Sequence, residues 1–88
     1  MNLQQEALIP QIQGIVAEKI LPGQRADEVD DRVLASLDSI GRLTLMVELE
    51  NSTSVELMGP DVEPELFSSL ARLAEFVIKK AAGQKSGP

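Results

Sequence analysis

Apolar residues recur at steps of three and four along much of this chain of 88 residues, which is the spacing of amphipathic helices. The first such segment runs from Leu3 to Leu21. Pro10 lies within it, and proline is compatible with the first turn of a helix but not with its interior. The pattern therefore predicts a helix that begins near Ile9, or one that begins near Leu3 with a kink. The Pro-Gly pair at 22–23 ends it.

A second helix is predicted from about Ser39 to Asn51, with Asp38 as the residue that caps its amino terminus. Its apolar face is formed by Leu45, Met46 and Leu49, with Leu43 beside them. Residues 23–37, which precede it, are polar and acidic and show neither strand alternation nor a sustained helical stripe. We expect a long ordered loop there.

The last helix is predicted to follow Ser68 or Ser69 and to run to about Ala82. Residues 61–67, before it, suffice for only a turn or two of helix, and 83–88 are expected to form a flexible polar tail. The sequence thus predicts an all-α bundle of three main helices and one short third helix. It forms a single domain over 1–88, with an ordered core of about 3–82.

Composition excludes several classes of function. The chain has no Cys and no His, so it cannot form a disulfide, a cysteine metal site, or a Ser-His or Cys-His nucleophile. Its net charge of −6 argues against binding to nucleic acid or to anionic membranes. The acid pair at 30–31 lacks the ligand spacing of a calcium loop, so no metal site is predicted. No targeting signal is visible, and we expect a monomeric, non-enzymatic, cytoplasmic protein.

The start of the second helix is the feature that points to chemistry. Asp38 and Ser39 lie where unpaired amides and the helix dipole stabilise an anion, so a phosphate ester on Ser39 would be favoured there. Aspartate and serine are also ordinary capping residues. The dipeptide taken alone therefore leaves two hypotheses open, a modified serine and a simple cap.

The residues around this dipeptide resemble the acyl carrier proteins. The segment from Leu37 to Ile40, followed by the run LMVELE at 45–50, is similar to the Asp-Ser motif that opens the second helix of that four-helix bundle. The segment from Phe67 to Val77 resembles the family's last helix. The resemblance covers about residues 3–82. It implies that Ser39 receives 4′-phosphopantetheine from coenzyme A through a separate transferase, and that Asp38 belongs to the motif and caps the helix.

The same resemblance implies how partners bind. Acyl-loading and acyl-transfer enzymes, like the phosphopantetheinyl transferase, dock on the family's second helix through basic patches and a few apolar contacts. By position, Ile40 and Val47 are the expected apolar contacts, and Glu48 and Glu50 join Asp38 in supplying negative charge. Burial in the core is the alternative for the two apolar residues. The interior could also shelter an acyl chain, although ordinary packing explains its apolar residues equally well.

Three positions depart from the family pattern. Gly41 and Arg42 replace polar or acidic residues, and Thr44 stands where fatty-acid-synthesis carriers commonly have Glu. These changes make the helix less acidic and place a cation, Arg42, one turn from Ser39 in the expected partner surface. Because charge complementarity governs partner choice, they predict a carrier for a specialised lipid or secondary-metabolite (polyketide) pathway rather than for housekeeping fatty acid biosynthesis.

Two alternatives to an acyl carrier remain. A peptidyl carrier usually has a glycine pair before the serine, whereas residues 36–38 are Ser-Leu-Asp here, which favours the acyl type. Because the chain starts at Met1, we expect a discrete protein rather than a domain of a larger synthase. A small acidic helical adaptor, in which Ser39 only caps a helix, is the third interpretation.

Overall fold

The computed structural model describes residues 4–84, and all regular structure within them is helical. Helix α1 spans Gln5–Ile15 and continues as a π-helical segment, Val16–Ile20. Helix α2 spans Asp31–Ala35, α3 spans Ser39–Thr53, and α4 spans Leu70–Gln84. Two 3₁₀ helices, Ala26–Glu28 and Pro64–Ser68, precede α2 and α4 respectively. The all-α prediction is confirmed.

Helix α1 begins four residues before Ile9, and Pro10 lies inside it. Its last turns are π-helical because Leu21 donates its amide to the carbonyl of Val16, five residues back, at 2.7 Å. The sequence pattern did not indicate this wider turn. The helical segment ends just before the Pro-Gly pair at 22–23, as predicted, and Gly23 has a positive φ of 101°.

The prediction of a long loop without helix over residues 23–37 is wrong, because this region contains the 3₁₀ turn and the short helix α2. The Asp30 carboxylate accepts the amide of Val33 at 3.0 Å and caps α2, while Leu34 is fully buried. Asp31 accepts the amide of Leu70 at 2.8 Å, which ties this region to the start of α4. A five-residue helix is too short to show a periodic stripe.

The other helix bounds follow the predictions closely. Helix α3 ends at Thr53, two residues past Asn51, and is followed by the left-handed Ser54 at φ 59°. The predicted short third helix is the 3₁₀ helix at 64–68. Ser69 caps α4, since its hydroxyl accepts the amide of Arg72 at 3.3 Å. Helix α4 continues through residues 83–84, which were assigned to the tail, and the remainder of that predicted tail, 85–88, lies outside the described residues.

Helix α1 packs against α4 and α3, and α2 packs against the 3₁₀ helix at 64–68. The fully buried side chains come from every long helix and from the connections between them: Leu8, Ile12, Val16, Val29, Leu34, Leu45, Leu49, Leu57, Leu73, Ala74 and Val77. Leu43 does not join them, as it is 51% exposed. This core holds the amino terminus of α3 in place at the surface.

Candidate functional site

Ser39 is the first residue of α3, and its side chain is exposed. Asp38 caps the helix as predicted: its Oδ1 accepts the amide of Gly41 at 2.8 Å, and its carbonyl oxygen accepts the amide of Arg42 at 2.9 Å. Capping is therefore carried out by Asp38. The Ser39 hydroxyl forms no hydrogen bond with the part of the chain that the structure describes.

The first turn of α3 packs closely on the end of the π-helical segment. A Cβ atom added at Gly41, which is buried, would lie 3.2 Å from Asp38 Oδ1 and 3.3 Å from Ile20 Cγ2. Only glycine avoids these short contacts. Gly41 thus has a local role, since it lets the capping aspartate and the preceding helix approach the turn that carries Ser39.

An apolar groove of about 250 Å³ opens beside Ser39, between α3 and the segment that leads to α4. Its lining residues include Ser39, Arg42, Leu43, Met46, Met58, Val62, Glu63 and Phe67. Larger grooves elsewhere on the surface, of about 510 and 500 Å³, contain none of the predicted site residues. The exposed hydroxyl and this groove therefore form one continuous site.

An exposed apolar stripe extends along α3 from this site. Ile40 is 74% exposed and Val47 is 41% exposed, so neither is in the core. Leu43 lies on the same helical face, three residues after Ile40, and Met58 is 44% exposed at the groove edge. We call these four residues the apolar stripe. The spacing from Ile40 to Leu43 could have revealed Leu43, whereas no sequence pattern places Met58 beside it.

Arg42 is half-buried and contacts two other elements. Its guanidinium donates from Nη2 to the carbonyl oxygen of Ala35 at 3.2 Å, and its Cζ lies 5.1 Å from the ring centroid of Phe67. Its Nε is buried and has no hydrogen-bond acceptor among residues 4–84. The side chain expected to face a partner thus lies in the groove beside Ser39.

The two predicted glutamates differ in surroundings. Glu48 is partly exposed and forms no ion pair among residues 4–84. Glu50 Oε2 accepts the amides of Leu57 at 2.7 Å and Met58 at 2.9 Å, so its carboxylate anchors the connection after α3. The hydrogen bond from Met58, followed by that from Leu57, lowers the pKa of Glu50 below its ordinary value. Glu50 therefore positions part of the groove wall.

Replacing Glu50 by alanine is expected to lower the melting temperature at neutral pH, because two backbone amides lose their shared acceptor. The pKa of Glu50 is lowered in the folded state, so its stabilisation is complete above the ordinary glutamate pKa. It is lost as the pH falls through the lowered value. The difference between variant and wild type should therefore shrink in acid. Melting curves from neutral pH to below the ordinary glutamate pKa measure it.

Glu48→Ala is the matched control, since Glu48 lies on the same helix and its carboxylate accepts no backbone amide within the described part of the chain. It should change the melting temperature less than Glu50→Ala at neutral pH. Equal effects of the two substitutions, or a Glu50 effect that persists unchanged in acid, would show that the two hydrogen bonds do not stabilise the fold.

No group of three or more acidic, histidine or cysteine side chains within residues 4–84 is arranged to hold a metal ion. Over the same residues, no helix has both the length and the apolar character needed to cross a bilayer. Comparison of the chain with protein-family models, with curated proteins and with solved structures found no match.

Proposed function

We propose that the protein is an acyl carrier, modified at Ser39 by 4′-phosphopantetheine and carrying acyl groups for partner enzymes in a specialised lipid or secondary-metabolite pathway of the cytoplasm. The observation that carries the proposal is the exposed, unbonded Ser39 hydroxyl at the start of a 15-residue helix whose cap is supplied by Asp38. A serine that served only as a cap would have its hydroxyl engaged by the helix.

The surroundings of Ser39 fit a phosphopantetheinyl group. The open amino end of α3 favours the negative charge of a phosphodiester, because Asp38 takes the amide of Gly41 and leaves those of Ser39 and Ile40 without an intrahelical partner. The adjoining groove is largely apolar, and it also contains Arg42, whose Nε lacks an acceptor. When bound, this group supplies a thiol that holds an acyl chain as a thioester, chemistry that a chain without cysteine lacks.

In the modification, the Ser39 oxygen attacks the phosphorus of coenzyme A that bears the pantetheine. One serine–phosphorus ester bond forms, and the bond from that phosphorus to the bridging oxygen breaks, releasing adenosine 3′,5′-bisphosphate. The hydroxyl proton passes to a base on the transferase. This chain contributes the exposed hydroxyl and the helix amino terminus that stabilises the ester formed.

The charge distribution supports docking of basic partners around Ser39. Residues 26–66 contain eleven acidic residues and two arginines, whereas 67–88 carry a net positive charge. The apolar stripe supplies hydrophobic contacts within that acidic region. Opposite charge steers encounter and fixes orientation, and a central apolar contact adds affinity. The partners proposed are the phosphopantetheinyl transferase and the acyl-loading and acyl-transfer enzymes.

Incubation with coenzyme A, magnesium and a promiscuous phosphopantetheinyl transferase tests the proposal. Intact-mass spectrometry is expected to show the addition of one phosphopantetheinyl group to the wild type and none to Ser39→Ala. Ser69→Ala is the matched control, because Ser69 also stands at the start of a helix, and there its hydroxyl caps α4. That variant should be modified as the wild type is.

Absence of any mass gain in the folded wild type would contradict the carrier proposal and favour the acidic adaptor, in which the start of α3 has only a structural role. A gain that survives in Ser39→Ala would move the attachment to another residue. Circular dichroism of each variant establishes that it is folded before the masses are compared.

A further inference from the structure

We propose that Arg42 binds an anionic oxygen delivered into the groove by the modified Ser39. This inference rests on the proposed function and assigns a ligand to Arg42. The oxygen belongs either to the phosphodiester of the arm or to a carboxylate of the acyl cargo, since both present the oxyanion that a guanidinium recognises.

Arg42 uses little of its hydrogen-bonding capacity within the described residues. A guanidinium has five N–H donors, and here a single one, on Nη2, donates to a protein acceptor among the described residues. That bond, to Ala35, is 3.2 Å long, at the limit of the usual range. The Nε is buried without an acceptor, which is unfavourable for a donor linked to a charge. Most of the N–H donors of Arg42 therefore have no protein acceptor among the described residues.

Arg42 lies close to Ser39 along the same helix. Ser39 and Arg42 are three residues apart on α3 and line the same groove. A phosphate on Ser39 would be attached three residues before Arg42, at the end of the helix that favours negative charge. The Phe67 ring lies against the guanidinium Cζ at 5.1 Å and limits where the side chain can move.

Glu63 also lines the groove, and its charge affects how strongly Arg42 can bind an anion there. It is exposed, and it forms no ion pair with Arg42 among the described residues. Among the described residues, the arginine charge is therefore not paired with the carboxylate that lines the same groove. A carboxylate on the rim opposes a second anion, so Glu63→Gln should strengthen the interaction of Arg42 with an oxyanion.

Nitrogen-15 NMR of the arginine Nε–Hε groups tests the proposal directly. Four forms of the full chain are compared: unmodified, carrying the arm with a free thiol, carrying a neutral butyryl thioester, and carrying a dicarboxylic acyl thioester. The Arg42 signal should shift on modification, whereas that of Arg32, which is exposed on α2, should stay constant. A shift already present with the free thiol identifies the phosphodiester, and one confined to the dicarboxylic form identifies the cargo.

A second readout is stability. Modification, or dicarboxylic loading, should raise the folding equilibrium constant of the wild type by about tenfold or more, as for charge-assisted hydrogen bonds. The gain should vanish in Arg42→Gln, return in part in Arg42→Lys and increase in Glu63→Gln. Each variant is first shown to be folded without modification, so a lost gain cannot be attributed to misfolding.

An Arg42 signal that stays constant in all four forms, with equal stability gains in wild type and Arg42→Gln, overturns this inference while leaving the carrier proposal intact. Failure of Ser39 to accept the arm refutes the carrier proposal, and with it the role assigned to Arg42. The two failures are distinguished by the intact mass of the sample.

Discussion

Leu45→Ala is expected to destabilise the protein by about 2–5 kcal/mol, the range found when a fully buried leucine is truncated. Leu45 lies on the buried face of α3 with no exposed surface, in the middle of the helix that carries the site. Truncation removes apolar contacts and leaves a cavity that the packed helices cannot fill completely. Because small domains have a total stability of about 5–15 kcal/mol, this loss is a large fraction of it.

Leu43→Ala is the matched control, being the same substitution two residues earlier on the same helix. Leu43 is 51% exposed, so its truncation should change the free energy of unfolding by no more than about 0.5 kcal/mol. Urea denaturation followed by circular dichroism measures both variants. Similar losses at the two positions would contradict the packing of α3 described above, as would a near-neutral Leu45→Ala.

The elements that sequence predicted well are those specified by local physical chemistry. Helices α1, α3 and α4 were predicted from three long segments with a helical period, because each of these helices buries a continuous stripe of apolar side chains. The amino-terminal ends of α3 and α4 could also be predicted, since the capping side chains of Asp38 and Ser69 each lie three residues before the amide that they accept. Prediction succeeded where a few neighbouring residues determine the conformation.

The elements that sequence missed depend on contacts between distant residues. Helix α2 is five residues long and is held by a link from Asp31 to the start of α4, 39 residues away. The π-helical turn ending at Ile20 is packed against the first turn of α3. Neither arrangement leaves a periodic pattern. Short elements contribute too few apolar positions to be distinguished from an ordered loop.

The candidate site shows the same division. Ser39 and the exposure of Ile40 and Val47 follow from position on one helix, and were predicted from sequence. The surroundings of Arg42 and Glu50 were not, because Arg42 contacts Ala35 and Phe67, and Glu50 binds amides seven and eight residues ahead. Their positions on the helix, with the family resemblance, placed both on the predicted partner surface. Their intrachain contacts also connect the groove to the helix that carries Ser39.

Gly41→Val is expected to destabilise the protein by about 1–3 kcal/mol and to slow modification of Ser39. Its Cβ would lie 3.2 Å from Asp38 Oδ1 and 3.3 Å from Ile20 Cγ2, and the γ-methyl groups add further bulk in the same space. Either the cap from Asp38 is displaced or α3 moves away from the π-helical segment. Both outcomes disturb the turn that presents Ser39.

Gly14→Val separates this steric effect from helix propensity. Gly14 is also a helical glycine, in α1, and a Cβ atom there meets no other atom within 4 Å. Because valine is a slightly better helix former than glycine, Gly14→Val should change the free energy of unfolding by no more than about 0.5 kcal/mol and leave the rate of Ser39 modification unchanged. Gly41→Val differs only in what surrounds the new side chain. If the two variants are equally stable and equally modified, then the close approach at Gly41 plays no part in presenting the serine, and the glycine there is merely tolerated.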